Sequence, residues 1–252
     1  MMIQSKNNDE LKIMATSGKK LSLVKEKIKG SIGEGVSASE IDALVEDLIL
    51  KSGGYPSFKM VPGYSWATCI NVNDGVVHGI PNKKLVFRKG DIISVDLGMY
   101  ENGFHTDTAI TVLVGKDQAK EKFLNVGTRA LWEAIKQVKV GKRIMDISTA
   151  IETQLTRNEL TAIKALVGHG VGRNLHEDPQ IPCFVKGNYQ ESPVLREGMC
   201  LAIEIMYTMG GEDIVVDPDG WTIRTKDGKI SALFEETVAV TSHGPLVLTG
   251  SK

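Results

Sequence analysis

One hairpin constrains this chain more than any other stretch. Two runs rich in β-branched residues, Ile92-Ile93-Ser94-Val95-Asp96-Leu97-Gly98 and Phe104-His105-Thr106-Asp107-Thr108-Ala109-Ile110-Thr111-Val112, flank Asn102-Gly103 between Asp91 and Val114. Such side chains favour extended backbone, and Asn-Gly is the strongest short signal for a two-residue hairpin turn, since both turn residues must take positive φ. With that turn, position 98 faces position 107. Asp96 and Asp107 then leave the same face of the sheet as diagonal neighbours, about 7–8 Å apart at most. Two carboxylates aimed into one partly buried place repel each other unless they share a proton or a cation. Either that face is open and both acids are solvated, or they share a metal ion; we read them as a metal site.

The surroundings are those of an ordinary globular protein. The chain has 252 residues, 42% hydrophobic and 24% charged, with a formal net charge of −1. That size permits one large domain or two small ones. No long basic run is present, which argues against a binder that tracks nucleic-acid phosphates. Cys69, Cys183 and Cys200 form no CxxC pair and no even framework, which fits a reducing compartment. The first eight residues lack the apolar core of a signal peptide, and no apolar run reaches the length of a membrane span. A cytoplasmic, soluble protein with no membrane partner is expected.

Residues 1–8 are expected to be a loose start. A helical stripe follows from Asp9 to about Ile32, carrying Leu11, Met14, Ala15, Leu21, Val24 and Ile28. A second helix, with Ser39 as N-cap, places Ile41, Leu44, Val45, Leu48 and Ile49 on one face before Gly53-Gly54. The loop from Tyr55 to Trp66 is rich in aromatics, as loops that line sites often are. Short strands at Thr68–Val72 and Val76–His78 lead into the hairpin. Further helices are expected from Asp117 to about Lys139 and after Asp146 as a cap, and strands at Ile163–Val167, Leu201–Tyr207, Ile214–Val216 and Ser231–Val240. No Pro-, Gly- or Ser-rich linker divides the chain.

A weak repeat runs through it. Gly35…Ile41 recurs as Gly141…Ile147, offset by 106 residues, and Lys89-Gly90…Asp96 recurs as Glu197-Gly198…Glu204, offset by 108. Asp107-Thr108 is echoed by Glu236-Thr237 or, one place earlier, by Glu235. Two halves of about 9–115 and 117–249, each two helices followed by antiparallel strands, would bring their acids face to face across a pseudo-twofold.

Asp96, Asp107, Glu204 and Glu235 all stand in or beside apolar strands; Glu204 is flanked by Ala202, Ile203, Ile205 and Met206. Carboxylates there are costly to bury unless paired or metal-bound. With one imidazole added, the set suits hard or borderline divalent ions and could hold two, activating a water as nucleophile. The histidine comes from Gly168-His169-Gly170-Val171-Gly172, whose glycines let backbone approach a ligand, and no strand–turn–helix supports a nucleotide cradle there. His176 and His78 also lie in Gly- or Pro-rich segments; His105 and His243 are given no site role.

Gly168-His169-Gly170-Val171-Gly172-Arg173, His176-Glu177-x-Pro179, Val77-His78-Gly79-Ile80-Pro81 and Gly103-Phe104-His105-Thr106-Asp107-Thr108 together resemble the type I methionine aminopeptidases of the bacterial kind, in order and spacing and over almost the whole chain. The resemblance implies an α+β "pita-bread" fold with internal pseudo-symmetry, a curved antiparallel sheet flanked by helices. It implies two divalent ions (Co, Mn, Fe or Zn) on Asp96, Asp107, His169, Glu204 and Glu235, with Asp107 and Glu235 bridging and Glu204 also general base for the metal-bound water. His176 would donate to the scissile carbonyl and His78 would bond the substrate backbone. Cys69, Tyr64, Leu175, Trp221 and the Phe58–Pro62 loop would hold the methionine side chain. The implied substrate is the N-terminal methionine of nascent polypeptides with a small second residue, cleaved by a monomer with no nucleic-acid site and room for transient ribosome contact.

The sequence departs from that family at Leu175, where an aromatic is usual, at Ile205 for Pro, at Glu236 for His and at Val61-Pro62 for an aromatic and a His. These touch no presumed ligand and bear on fine preference. Prolidase and aminopeptidase P share the fold and metal set but carry a large N-terminal domain for which 252 residues leave no room. Type II aminopeptidases carry an insertion where His169 and Glu204 here stand 35 residues apart. A metal-free binding protein on the same fold would not need all five acidic and histidine positions.

Overall fold

The computed structural model describes residues 3–250. Among the described residues, four α-helices cover one face of a curved sheet: α1 (Asn8–Lys29), α2 (Ala38–Lys51), α3 (Gln118–Ile135) and α4 (Ile144–Thr156). The strands are β1 (Tyr55–Pro56), β2 (Thr68–Val72), β3 (Gly75–Val77), β4 (Ile92–Glu101), β5 (Phe104–Leu113), β6 (Thr161–Ala162), β7 (Val167–Gly170), β8 (Glu177–Pro182), β9 (Cys200–Thr208), β10 (Ile214–Val216), β11 (Ile223–Thr225), β12 (Ser231–Thr241) and β13 (Gly244–Val247). The main sheet runs β1-β4-β5-β12-β9-β7-β8, with β2 on β4, β6 on β9 and β13 on β12; β10, β11 and β3 form a second sheet. Every pairing is antiparallel. This is the expected α+β architecture.

The central hairpin has the register read from its turn. Gly98 faces Asp107 and Asp96 faces Ala109, while Asn102 and Gly103 take φ of 51° and 89°. Alternation along the strands then sorts the faces. Ile93, Val95, Leu97 and Met99 pack under α1 and α2 with Ile41, Val45 and Ile49. Leu201, Ile203, Ile205 and Tyr207 pack under α3 and α4. Asp96 and Glu204, one residue out of phase, are thereby turned to the helix-free face.

The two halves repeat each other bond for bond at their corners. Gly35 N–H donates to Phe87 C=O at 2.9 Å, as Gly141 does to Leu195 at 3.0 Å. Gly90 N–H donates to Val114 C=O at 2.7 Å, as Gly198 does to Val240 at 2.9 Å. All four glycines have φ between 84° and 93°, where a side chain would be strained. The register corrects one sequence echo. Asp96 pairs with Ala109 where Glu204 pairs with Glu235, so the counterpart of Glu235 is Ala109 and not Asp107. The second acid of each half sits two residues apart in register, on the same face.

Several boundaries shift for identifiable reasons. The second helix is capped by Ser37, which forms a reciprocal capping box with Glu40, rather than by Ser39. Asp146 is the third helical residue of α4 and accepts from Arg143 N–H at 2.7 Å rather than standing at the cap. The first helix stops at Lys29 and the third at Ile135, short of Ile32 and Lys139. Of the strand expected at Ile163–Val167 only Val167, the first residue of β7, is extended; 163–166 is a connection between β6 and β7. The loose start expected for residues 1–8 fails at its inner end: Lys6 is buried, and Asn7 caps α1 in a capping box with Glu10. Residues 1 and 2 of that expectation lie outside the described residues.

Candidate metal centre and peptide pocket

Five strands deliver the five sequence-predicted ligands to one place: Asp96 from β4, Asp107 from β5, His169 from β7, Glu204 from β9 and Glu235 from β12. Asp107, His169 and Glu235 each offer a ligand atom within 4.8 Å of the others. His169 Nε2 lies 3.7 Å from Glu204 Oε1, and the Asp96 and Asp107 carboxyls are close enough to shift each other's proton affinity. Burial pushes Asp96 up to about 7. Burial, then the charges of Asp96 and Glu204, raise Asp107 well above the usual carboxylate range. Glu204 is raised by burial and Asp96, and Glu235 by burial and all three other acids.

The donor set fits divalent cations. Asp96 Oδ1 and Glu235 Oε1 are buried with no hydrogen-bond partner, a cost of about 1–3 kcal/mol each for a polar group so left. Burial pushes His169 down to about 3, keeping it neutral, and its Nδ1 sits 2.9 Å from Gly170 C=O. With the Nδ1 proton on that carbonyl, the Nε2 lone pair points toward the acids, the orientation metal-binding imidazoles use. Four oxygen donors and one imidazole suit divalent ions of hard or borderline character.

These groups form the floor of a cavity of about 140 Å³, whose walls include Phe58, Tyr64, Cys69, Leu175 and Trp221, with His78 and His176 beside the acids. Every site residue singled out from the sequence meets in this one cavity, although of the Phe58–Pro62 loop only Phe58 and Val61 line it. Four larger grooves, of about 430 to 590 Å³, lie elsewhere on the described residues; none holds the acid cluster. The apolar wall is fixed by Tyr64, which stacks edge-on against Trp66 and Trp221 at 5.2 and 5.1 Å and donates to Thr68 C=O at 2.8 Å. Asp42 anchors the same segment, accepting from the N–H groups of Ala67 and Thr68. His78 has φ of 57°, a strained value for a non-glycine residue. His176 stands at the cavity mouth with its ring 4.4 Å from that of His169, and lost hydration lowers its pKa.

Outside the cavity, His105 is buried against Ser57 Oγ at 2.9 Å and His243 lies exposed in the β12–β13 turn. Glu236, one residue from Glu235, turns to the opposite face of β12 and pairs with Lys25 of α1 at 2.5 Å.

One buried pair escaped the sequence reading. Lys6 Nζ lies 2.6 Å from Glu177 Oε2, with side chains only 1% and 5% exposed. Glu177 also accepts from Asn174 N–H at 3.1 Å, and Lys6 N–H donates to Gly198 C=O at 2.7 Å. The N-terminal segment thus clamps the loop that carries Leu175 and His176. A lysine in a polar opening run gives no signal of this. Lys6→Met would leave Glu177 buried and unpaired, an expected loss of ~3–5 kcal/mol in urea unfolding. Adding Glu177→Gln should recover part of it; an unchanged midpoint in the single variant would remove the clamp's energetic role.

The carboxylate–histidine cluster thus lies buried beside an apolar wall, on a sheet built of two matching halves. Residues 12–242 match the model of metallopeptidase family M24, and the chain belongs to that family. It is 41% identical over 249 residues to methionine aminopeptidase 1 of Bacillus subtilis, covering 98% of this chain and 99% of that one. The methionine aminopeptidase of Clostridium perfringens is 39% identical at the same coverage. The crystal structure of methionine aminopeptidase from Thermotoga maritima superposes with a TM-score of 0.96 at 40% identity, covering 99% of this chain and all of that one. Prolidase from Pyrococcus furiosus, at 22% identity and a TM-score of 0.76, shares the fold, and the match takes in only 66% of it. Among the described residues, no helix is long and apolar enough to cross a membrane.

Proposed function

We propose that this protein removes the N-terminal methionine from nascent proteins and peptides whose second residue is small. The observation that carries the reading is the single cavity that sets all five ligand candidates against a wall of Phe58, Tyr64, Cys69, Leu175 and Trp221. Asp96, Asp107, His169, Glu204 and Glu235 would hold two divalent ions, drawn from Co, Mn, Fe or Zn. When bound, such ions supply a Lewis acid for the scissile carbonyl and lower the pKa of the attacking water.

The chain's own groups do the rest. Glu204, ionised when the site is loaded, takes the proton from the water and returns it to the leaving amine. His176 donates to the carbonyl oxygen as charge develops there. His78, held rigid by its backbone, bonds the substrate amide beside the scissile bond. The apolar wall takes the methionine side chain, whose polarizable sulfur suits aromatic edges. Crowding at the mouth rejects large second residues. A cytoplasmic monomer acting on chains as they leave the ribosome fits this chemistry.

Release of methionine from Met-Ala-Ser, lost on chelation and restored by cobalt or manganese chloride, is the expected result. Cleavage of Xaa-Pro dipeptides without methionine preference would favour the prolidase reading. No cleavage of either by metal-loaded protein would leave a binding role on the same fold.

A further inference from the structure

The two halves meet where β5 lies against β12, yet those strands share only two paired positions, Glu235 with Ala109 and Glu236 with Thr108. On either side of this short ladder, a threonine hydroxyl closes the seam. Thr237 Oγ1 accepts from Asp107 N–H at 2.9 Å and donates to Asp107 C=O at 2.7 Å. Thr111 Oγ1 does the same with Leu233, accepting from its N–H at 3.1 Å and donating to its C=O at 2.5 Å. Both threonines are buried. The stitches are counterparts in the repeat. Val114 corresponds to Val240, since Gly90 and Gly198 donate to them. Counting back along each strand makes Thr111 the counterpart of Thr237 and Asp107 the counterpart of Leu233.

The stitches differ in that Thr111 Oγ1 also bonds Ser94 Oγ at 2.8 Å, and above all at their far ends. One ends on an apolar residue of the core, Leu233, and the other on Asp107. In an antiparallel strand the N–H and C=O of one residue point the same way, so both backbone groups of Asp107 face β12 and meet only that hydroxyl there. Asp107 is buried, and its Oδ1 is held in turn by Thr108 N–H at 3.1 Å. We infer that Thr237 is a positioning residue for the metal centre. Its hydroxyl fixes the backbone from which the Asp107 carboxylate would reach a cation, while Thr111 makes the matching stitch away from the ligands, where it serves stability. A site whose donor atoms converge, here within 4.8 Å of one another, loses affinity when one of them drifts.

This inference rests on the metal site proposed above, and the experiment separates the two. Cobalt(II) chloride is titrated calorimetrically into metal-free full-length protein, with visible absorption and thermal unfolding recorded in parallel. Thr237→Val should weaken cobalt binding tenfold or more and alter the absorption of the bound ion. Thr237→Ser, which keeps the hydroxyl, should restore affinity to within about threefold. Thr111→Val should lower Tm about as far as Thr237→Val but bind cobalt within twofold of the unsubstituted protein. If Thr237→Val does not fold, Thr237→Cys, with a weaker donor, should give an intermediate loss of affinity. Unsubstituted affinity in folded Thr237→Val or Thr237→Cys, or an equal loss in Thr111→Val, overturns the inference. Failure of the unsubstituted chain to bind cobalt overturns the metal site itself.

Discussion

Asp107→Asn is expected to abolish cation binding and peptidase activity while making the metal-free protein more stable. Asp107 is buried among Asp96, Glu204 and Glu235, and in the absence of a cation each of these acids raises the proton affinity of another. Asparagine keeps the volume, the bond from Thr108 N–H and the stitch to Thr237, and removes one charge. Relief of that repulsion is worth ~1–3 kcal/mol, or roughly 2–10 °C in Tm for a chain of this size. The sign with pH follows from the direction of the shifts. These carboxyls have folded pKa values above their unfolded ones, so their contribution is fully present below about pH 4 and is lost as pH rises through the folded values. Asp96 at about 7 sets the scale, and the other three are also raised. The gain in Asp107→Asn should therefore be largest near pH 8 and close toward pH 4. Cobalt chloride should reverse the order near neutrality, raising the Tm of the unsubstituted protein and leaving the variant where it was. An equal rise in both would show that Asp107 is not a ligand.

How far the sequence goes toward this site differs from residue to residue. The Asn102-Gly103 turn is a local signal, since few other dipeptides accept positive φ twice, and it alone fixes which residues of β4 and β5 share a face. Acids inside apolar strands are equally legible because burial without a partner is so unfavourable. The capping box at Ser37 and Glu40 was present in the spacing, but a second serine at 39 competes with it. Strand β8 carries Pro179 and Pro182 and no alternation, so nothing in its composition marks it as extended. Lys6 and the threonines of the seam were not legible at all. A lysine in a polar run reads as solvated, and a threonine in a strand reads as a β-former; what they do depends on contacts more than a hundred residues away, Lys6 with Glu177 and Thr237 with Asp107. The echo of Asp107 by Glu235 or Glu236 misled for a related reason. Matching letters does not fix register, and the ladder shows Ala109 in that place.

His176→Ala should lower kcat by on the order of 10²-fold or more, the scale of losing one donor to a developing oxyanion, while cobalt content and affinity stay those of the unsubstituted protein. His176 lies beside the acids, with its ring 4.4 Å from that of His169, but it stands on the loop between β7 and β8 and not on a strand that delivers a ligand. Its loop is held independently of the metal cluster, by Lys6 on Glu177 and by His105 N–H on Gly172 C=O at 2.7 Å, so truncating the ring should leave the ligands in place. Its lowered pKa keeps it neutral at pH 7, which leaves one ring N–H to donate and no positive charge to repel bound cations. Because the bond strengthens as the carbonyl oxygen gains charge, KM for Met-Ala-Ser should move far less than kcat. His176→Asn, which still offers an N–H, should retain more activity than alanine. Parallel loss of cobalt and activity in His176→Ala would make the residue part of the cation site instead, and a rise in KM with kcat intact would make it a ground-state contact only.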